Sequence, residues 1–312
     1  MSDRPRLSIV VPVHNEVDNI PELYGRLTAV LAEAGVTYEI IVVNDGSTDG
    51  SLAVLRDLHA ANPRVKVVSL ARNFGHQIAI SAGLDHACGE GIVMMDADLQ
   101  DPPEVIPAFI AKWQEGYQVV YGKRRQRQEH VFKRAAYALF YRVLAHMSAV
   151  EIPLDAGDFS LIDARVADVM RSMPERSRFV RGLRSWVGFR QIGVEYPRSS
   201  RHSGRPKYTF STLIKLAFDG LLSFSMLPLR VAVYMGLSIA ALSFLAASYY
   251  LWGRLMSDRT IPGFATTIIV VLFLGGIQLV TLGIVGEYVG RMYEEVKARP
   301  LYVIGDTIGI EP

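Results

Sequence analysis

Two aspartates set two residues apart at the end of an apolar run are the first residues in this chain that could do chemistry. Ile92-Val-Met-Met95 leads straight into Asp96-Ala-Asp98-Leu-Gln100-Asp101-Pro-Pro103. In an extended chain the side chains of residues i and i+2 point to one side, so Asp96 and Asp98 can converge on a single cation. Carboxylate and amide oxygens suit hard Mg²⁺ or Mn²⁺, ions that keep several waters and bridge to substrate phosphates. The outline is that of a divalent-metal diphosphate site. Two acids at a strand end also make an ordinary turn and helix cap, so the assignment depends on what else collects there.

Two more acids do. Val11-Pro12-Val13-His14-Asn15-Glu16 and Val43-Asn44-Asp45-Gly46-Ser47-Thr48-Asp49 each end an apolar run in an acidic segment. An ionised carboxylate is a pure acceptor, so Glu16 and Asp45 suit the N–H of a base and the hydroxyls of a ribose. Ser47, Thr48 and Asp49 supply turn and cap chemistry. Neither G-x-G-x-x-G nor G-x-x-x-x-G-K-[ST] occurs, so a dinucleotide-binding dehydrogenase and a P-loop phosphatase both lack their phosphate cradle. Metal and basic side chains must hold the phosphates instead. Basic residues cluster from Lys123 to Arg134 and from Arg176 to Lys207. Each alone reads as a solvated face; together they call for an anionic partner, a pyrophosphate, a lipid phosphate or a membrane surface. The net charge of +2 gives no global basic field, which argues against nucleic acid as a partner. Tyr24, Tyr137, Trp113 and His146 read as packing or surface residues.

A scaffold must hold these residues, and the apolar pattern supplies one. Leu7 to Val11, Glu39 to Val43, Val65 to Leu70 and Gly91 to Met95 are runs of the kind buried on both faces of a sheet. Between them Ile20, Leu23, Leu27, Val30 and Leu31 recur at helical spacing, and Leu52, Val54, Leu55 and Leu58 form a second apolar face. Strand and helix in alternation predict an α/β fold with a mostly parallel sheet, whose ligands bind at the carboxyl ends of the strands. Cys88 is the only cysteine, so an intrachain disulfide and a cysteine zinc site are excluded and a reducing compartment fits. The first residues carry no secretory signal pattern, which predicts a cytoplasmic head.

After Ser211 the composition changes. Val231 to Gly253 gives 23 residues without a charge and Thr260 to Gly286 gives 27, where about 20 suffice to span a bilayer. Separated by the short polar break Arg254 to Arg259, they predict a transmembrane hairpin with spans near 231–253 and 262–286. Arg291, Lys297 and Arg299 after it agree with a cytoplasmic side. From Ser211 to Leu229, Lys215 and Asp219 sit one turn apart among apolar neighbours, the pattern of a helix lying in the membrane interface. The expected organisation is a head over 1–210, an interfacial helix over 211–229, two membrane helices over 230–290 and a cytoplasmic tail over 291–312.

Taken together, Pro12-Val-His-Asn-Glu16, Val43-Asn-Asp-Gly-Ser-Thr-Asp49, Arg72-Asn-Phe-Gly75, Asp96-Ala-Asp-Leu-Gln-Asp-Pro-Pro103 and Gly157-Asp-Phe159 resemble the inverting glycosyltransferases of family 2. Within that family the chain is most similar to the dolichyl-phosphate-mannose-synthase-like branch, in particular to bacterial polyprenyl-phosphate glycosyltransferases with a C-terminal hairpin. The likeness runs through Gly286-Glu-Tyr-Val-Gly290. The resemblance implies a GT-A, Rossmann-like fold and a multi-pass enzyme of the bacterial inner membrane. Such an enzyme moves a sugar from a nucleotide sugar, UDP-glucose by preference, to undecaprenyl phosphate for modification of cell-envelope glycans.

The resemblance further implies that Pro12, Val13, Glu16, Val43 and Asp45 hold the nucleoside, that Asp96, Ala97 and Asp98 line the diphosphate, and that Asp96, Asp98 and Gln100 hold Mg²⁺ or Mn²⁺. Arg124 matches an arginine near the phosphates. Arg201 and Lys207 match basic residues of a segment R-x-x-G-x-S-K-Y that closes over donor and acceptor phosphates. Here the segment is Arg201-His-Ser-Gly204-Arg-Pro206-Lys-Tyr208, with proline in place of the serine. A UDP-sugar, a polyprenyl phosphate and the bilayer are the implied partners, with a homo-oligomer and a downstream flippase left open.

Asp158 occupies the position of the family's candidate catalytic base. Chemistry argues for a different part, because a phosphate monoester acceptor with a second pKa of about 6 is mostly ionised at neutral pH and needs little proton abstraction. Asp158 then orients the acceptor or stabilises oxocarbenium-like charge, while metal and arginines stabilise the departing diphosphate. Asp155 is the alternative carboxylate. Two rivals stand beside this expectation. A processive polysaccharide synthase generally carries Q-x-x-R-W and more spans, and Arg181-Gly-Leu-Arg-Ser-Trp186 lacks that spacing. A membrane-anchored sugar-nucleotide sensor without turnover would have lost acids that this chain keeps at Asp96, Asp98 and Asp158.

Overall fold

A computed structural model of the chain describes residues 4–124, 156–176, 178–197, 227–256 and 263–310. The chain divides into an α/β unit, which includes residues 299–310, and a helical unit within 215–298. In the first, β1 (Leu7–Val13), β2 (Tyr38–Asn44), β3 (Val65–Leu70) and β4 (Gly91–Met94) are parallel and alternate with α1 (Ile20–Glu33), α2 (Ser51–Ala61) and α3 (His76–His86). A 3-10 turn at Pro103–Val105 leads into α4 (Ile106–Gln114) and β5 (Val119–Arg124). Then come β6 (Ala156–Asp163), α5 (Ala164–Ser172), α6 (Val180–Trp186) and β7 (Gln191–Tyr196). β6 runs antiparallel to both β4 and β5, whereas β7 is parallel to β5. The helical unit holds α7 (Leu227–Met256) and α8 (Phe264–Val296), after which β8 (Ile304–Ile308) joins the sheet antiparallel to β3. The order across the sheet is β7-β5-β6-β4-β1-β2-β3-β8.

The central strands are buried and mostly apolar because helices cover both faces. All seven residues of β1 are buried, and so are all four of β4. α1 buries the stripe read from its spacing, Ile20, Leu23, Leu27, Val30 and Leu31, and each such side chain contributes about 1.5–3 kcal/mol. Leu27 is fully enclosed, so Leu27→Ala costs about 2–5 kcal/mol. In α2 only Leu55 of the predicted face is buried outright; Leu52, Val54 and Leu58 pack at the margin of the core.

Pro12 lies inside the central strand β1, where a residue without an N–H usually breaks a ladder. The register explains it. Met95 N–H donates to Val10 O on the β4 side and Asp45 N–H donates to Val13 O on the β2 side. Residues alternate, so the backbone of Pro12 faces the β4 side, and there β4 has already ended at Met94. No hydrogen bond is lost. The gap between β1 and β4 is also where the strand order reverses, with β2 and β3 on one side of β1 and β4 and β6 on the other. Open α/β sheets bind ligands in that crevice.

In the helical unit, Phe244, Tyr249, Trp252, Phe273, Leu279 and Leu282 are all more than 60% exposed, more apolar surface than water tolerates as a patch. Of the two spans expected from sequence, one is matched among the described residues by a stretch long and apolar enough to cross a bilayer, Phe273–Val296; the apolar stretch in α7, Val231–Ala246, is shorter. Most of the expected interfacial helix, residues 211–226, lies outside the described residues.

Candidate active site

The loops after β1 and β2 are laced together at the crevice. Asn15 N–H donates to Ser47 Oγ at 3.0 Å, Thr48 N–H to Asn15 Oδ1 at 2.8 Å and Val17 N–H to Asp49 Oδ2 at 3.3 Å. Asn15 adopts φ 55, the left-handed region that asparagine tolerates better than most residues. Glu16 accepts from Asn19 Nδ2 at 2.6 Å, and His14 Nδ1 lies 2.8 Å from the backbone oxygen of Asp45. The Asp45 carboxylate, expected to hold a nucleoside, accepts the N–H groups of Phe74 at 2.7 Å and Gly75 at 2.9 Å. It thereby fastens the Arg72–Gly75 segment to β2 and sits at the positive end of α3. Gly46 beside it has φ 61, and a Cβ there would stand 2.4 Å from the carbonyl carbon of Arg72. Val13, Val43 and Ala97 are buried in the core, so what they offer a ligand is backbone.

Past Met94 the chain turns into the acidic loop. Leu99 takes φ 60, a conformation that costs a non-glycine residue about 1–2 kcal/mol. It is held there because its side chain is 2% exposed while Asp98 and Gln100 on either side are only half-buried. Asp98 Oδ1 accepts the Gln100 N–H at 3.1 Å. Asp101 is fully buried and accepts the hydroxyl of Tyr196 from β7, tying this loop to the far end of the sheet. Asp96 keeps 30% of its side chain exposed, yet its Oδ1 is buried without a hydrogen-bond partner. Burial lifts the Asp96 carboxyl to about 6; His76 pulls it down, and the carboxylates of Asp101, Asp158 and Asp98 push it up again. An oxygen that makes no aligned hydrogen bond, on a carboxyl raised by burial and its acidic neighbours and faced by His76 at 3.3 Å, fits a divalent cation. Among the described residues no three His, Cys, Asp or Glu side chains form a ready cage. The fit is therefore to an ion held by one or two carboxylates and completed by phosphate oxygens and water, the habit of Mg²⁺.

Asp158 arrives from the opposite direction. β4 and β6 pair as Gly91↔Asp163 through Met94↔Ser160, and two further steps of that register set Asp158 across from Asp96. Between the carboxylates stands His76, the first residue of α3, with Nε2 3.3 Å from Asp96 Oδ1 and 3.5 Å from Asp158 Oδ2. Burial pulls the imidazole pKa down, but Asp96 and Asp158 outweigh it and raise it to about 9, so His76 carries a proton at neutral pH. Arg181 of α6 donates to Asp158 through Nε at 2.8 Å and Nη2 at 3.2 Å, and Gln77 Nε2 donates at 3.0 Å. Burial alone would raise the Asp158 pKa; Arg181 and His76 reverse it and hold the group well below the usual carboxylate range. One helical turn on, Arg184 is 1% exposed, with both terminal nitrogens 3.4 Å from Gly157 O and Nε without a partner. Burial lowers this guanidinium to about 10, although Asp158 acts against the shift.

His76, Gln77, Arg181, Arg184 and Asp101 are site residues that sequence reasoning missed. The first two directly follow the Arg72–Gly75 motif, and the arginines lie in the segment that had been compared with Q-x-x-R-W. Arg201, Lys207, Asp155, Tyr137 and His146 lie outside the described residues, and of Arg124 only the backbone, the last residue of β5, is described.

Residues 8–170 match glycosyl transferase family 2, and residues 227–292 match the GtrB C-terminal hairpin. An uncharacterized glycosyltransferase of Synechocystis sp. is 47% identical over 98% of this chain and 96% of its own. One from Bacillus subtilis is 48% identical over 100% and 97%. The SfII prophage-derived bactoprenol glucosyl transferase of Shigella flexneri is 40% identical over 96% and 97%. With a GT-A sheet whose crevice gathers Asp96, His76 and Asp158, and with relatives that match it nearly end to end, the chain belongs to glycosyl transferase family 2.

Proposed function

We propose that this glycosyltransferase moves a sugar from a UDP-sugar, UDP-glucose first, to undecaprenyl phosphate at the cytoplasmic face of the bacterial inner membrane, with inversion at the anomeric carbon. The observation that carries it is the pair Asp96 and Asp158 facing each other across His76, where the carboxyl end of β4 meets the amino end of the antiparallel β6. One carboxylate belongs to a loop suited to a metal diphosphate; the other is ringed by cations suited to an anionic acceptor. The Shigella relative's name, a bactoprenol glucosyl transferase, supports the same acceptor and sugar.

In this reaction a phosphate oxygen of the acceptor attacks the anomeric carbon, and the bond from that carbon to the nucleoside diphosphate breaks with its electron pair leaving on the diphosphate. Asp96, Asp98 and Gln100 would hold Mg²⁺ or Mn²⁺, which when bound neutralises the departing diphosphate. Arg124, Arg201 and Lys207 are assigned to the phosphates, and Pro12, Glu16 and the Asp45 loop to the nucleoside. Asp158 is a weak base, since Arg181 and His76 keep it ionised. Its part is to orient the acceptor and to stabilise positive charge on the sugar.

The helical unit supports a membrane anchor with two crossings. The chain leaves the α/β unit before α7 and rejoins its sheet through β8 after α8. If α8 crosses the bilayer, a second crossing must precede it, and α7 is assigned to that crossing. The test is to incubate membranes holding the full chain with radiolabelled nucleotide sugars, undecaprenyl phosphate and Mg²⁺ or Mn²⁺. A lipid-linked monosaccharide is expected. Long polymer, or donor binding with no lipid product from any acceptor, overturns the proposal.

A further inference from the structure

We propose that Gln77 is a positioning residue that sets the acceptor side of the site by joining Asp158 to the start of α6. The inference rests on the function proposed above and concerns a residue to which that proposal assigns no part. Gln77 is the second residue of α3, and its side-chain amide is used at both ends. Nε2 donates to Asp158 Oδ2 at 3.0 Å, and Oε1 accepts the backbone N–H of Val180 at 2.8 Å. Val180 opens α6, whose next residue, Arg181, grips the same carboxylate. The two contacts fix which end of the amide is oxygen, because a backbone N–H faces one end and a carboxylate the other.

Three elements meet at this amide. α3 supplies it, β6 supplies Asp158, and the first turn of α6 leaves N–H groups that need an outside acceptor. The base of α3 is itself fixed, since Asp45 accepts the N–H groups of Phe74 and Gly75 just before it. A rigid path therefore runs from the donor-side loop of β2 through the start of α3 to Asp158 and Arg181. Loss of the Gln77 amide frees both the carboxylate and the helix that carries its arginine. It leaves the fold's apolar core untouched, because Gln77 is only half-buried and outside the core cluster.

Two near-isosteric variants separate positioning from space filling. Gln77→Met keeps the length and removes both hydrogen bonds. Gln77→Glu keeps the acceptor for Val180 and turns a second carboxylate oxygen on Asp158, with His76 and Arg181 as the nearest opposing charges. In full-length protein in membranes, Gln77→Met should lower kcat by about tenfold or more, with the donor KM within about twofold of wild type. Gln77→Glu should fall further because of like-charge repulsion. In hydrogen–deuterium exchange, the Val180 amide should exchange faster in Gln77→Met and stay close to wild type in Gln77→Glu. Wild-type kcat in both variants, equal damage to kcat and donor KM, or unchanged Val180 exchange in Gln77→Met would overturn the inference. The exchange experiment needs no turnover: a wild-type chain that makes no lipid-linked sugar sinks the function proposed above, while exchange still decides whether Gln77 holds α6.

Discussion

Asp158→Asn keeps the shape of a central side chain and removes its charge, and the structure gives the cost. The carboxylate accepts from Arg181 Nε, Arg181 Nη2 and Gln77 Nε2, with His76 Nε2 3.5 Å away. An asparagine that keeps its oxygen on Arg181 Nε turns an NH₂ group toward the others, all of them donors. Two hydrogen bonds to a charged acceptor are lost, about 3–6 kcal/mol at about 1.5–3 each. Arg181 keeps 31% of its side chain exposed and regains water, so the net loss of stability is about 2–3 kcal/mol. The rate should fall by about 10²–10³, the usual effect of removing one preorganised charge. Initial rates of lipid-linked sugar formation against donor concentration should show this in kcat with donor KM little changed. Thermal unfolding in detergent checks the pH sign. The folded pKa of Asp158 is depressed, so its contribution to stability is complete above its unfolded value of about 3.9 and fades as pH falls through the folded value. The stability gap between wild type and variant should hold from pH 7 to pH 5 and narrow only below about pH 4. A kcat within about threefold of wild type, a donor KM rising in step with the loss, or a gap that closes between pH 7 and 5 would refute the reasoning.

Gly46→Ala places a Cβ 2.4, 2.5 and 2.8 Å from backbone atoms of Arg72 and Asn73 at φ 61. It should cost about 2–5 kcal/mol by unfolding and lower the rate per folded molecule, since the segment it displaces leads into His76 and Gln77. Asp98→Asn should abolish turnover supported by Mg²⁺ or Mn²⁺ while leaving the melting temperature in place, because an amide oxygen can still accept the Gln100 N–H; an unchanged metal titration removes Asp98 from the metal site. Ala298 ends α8 in the left-handed region at φ 48, so Ala298→Gly should raise stability by about 0.5–1 kcal/mol in a thermal melt.

The parallel strands β1 to β4 were legible because their runs are mostly apolar, with the apolar faces of α1 and α2 between them; β5, β6 and β7 were not read. The acids of the crevice were legible for the same reason, since each ends one of those runs. β8 was not: Ile304 to Ile308 is an exposed edge with no apolar run, and only pairing with β3 makes it a strand. His76 and Gln77 escaped because their partner Asp158 is about 80 residues away. Bringing them together requires knowing that β6 reverses direction beside β4. Arg181 was in view but was judged against another motif's spacing, while its own carboxylate is set by that same reversal.

That reversal also decides how charge is shared across the site. In a sheet with β6 parallel to β4, the strand would carry its far end, not Asp158, to the crevice. Running antiparallel, β6 brings Asp158 opposite Asp96, and two carboxylates that close could not both stay ionised without a cation. His76 supplies one between them, and Arg181 supplies a second to Asp158 alone. The outcome is unequal: Asp158, with both His76 and Arg181, is held ionised, while Asp96, which shares His76, is lifted to about 6 and makes no aligned hydrogen bond through Oδ1. The carboxylate left short of positive charge is the one in the loop suited to a metal. The one already satisfied faces the arginines. In the proposed reaction negative charge leaves the acceptor and collects on the diphosphate, so the cation that is still missing belongs on the Asp96 side, where that charge arrives.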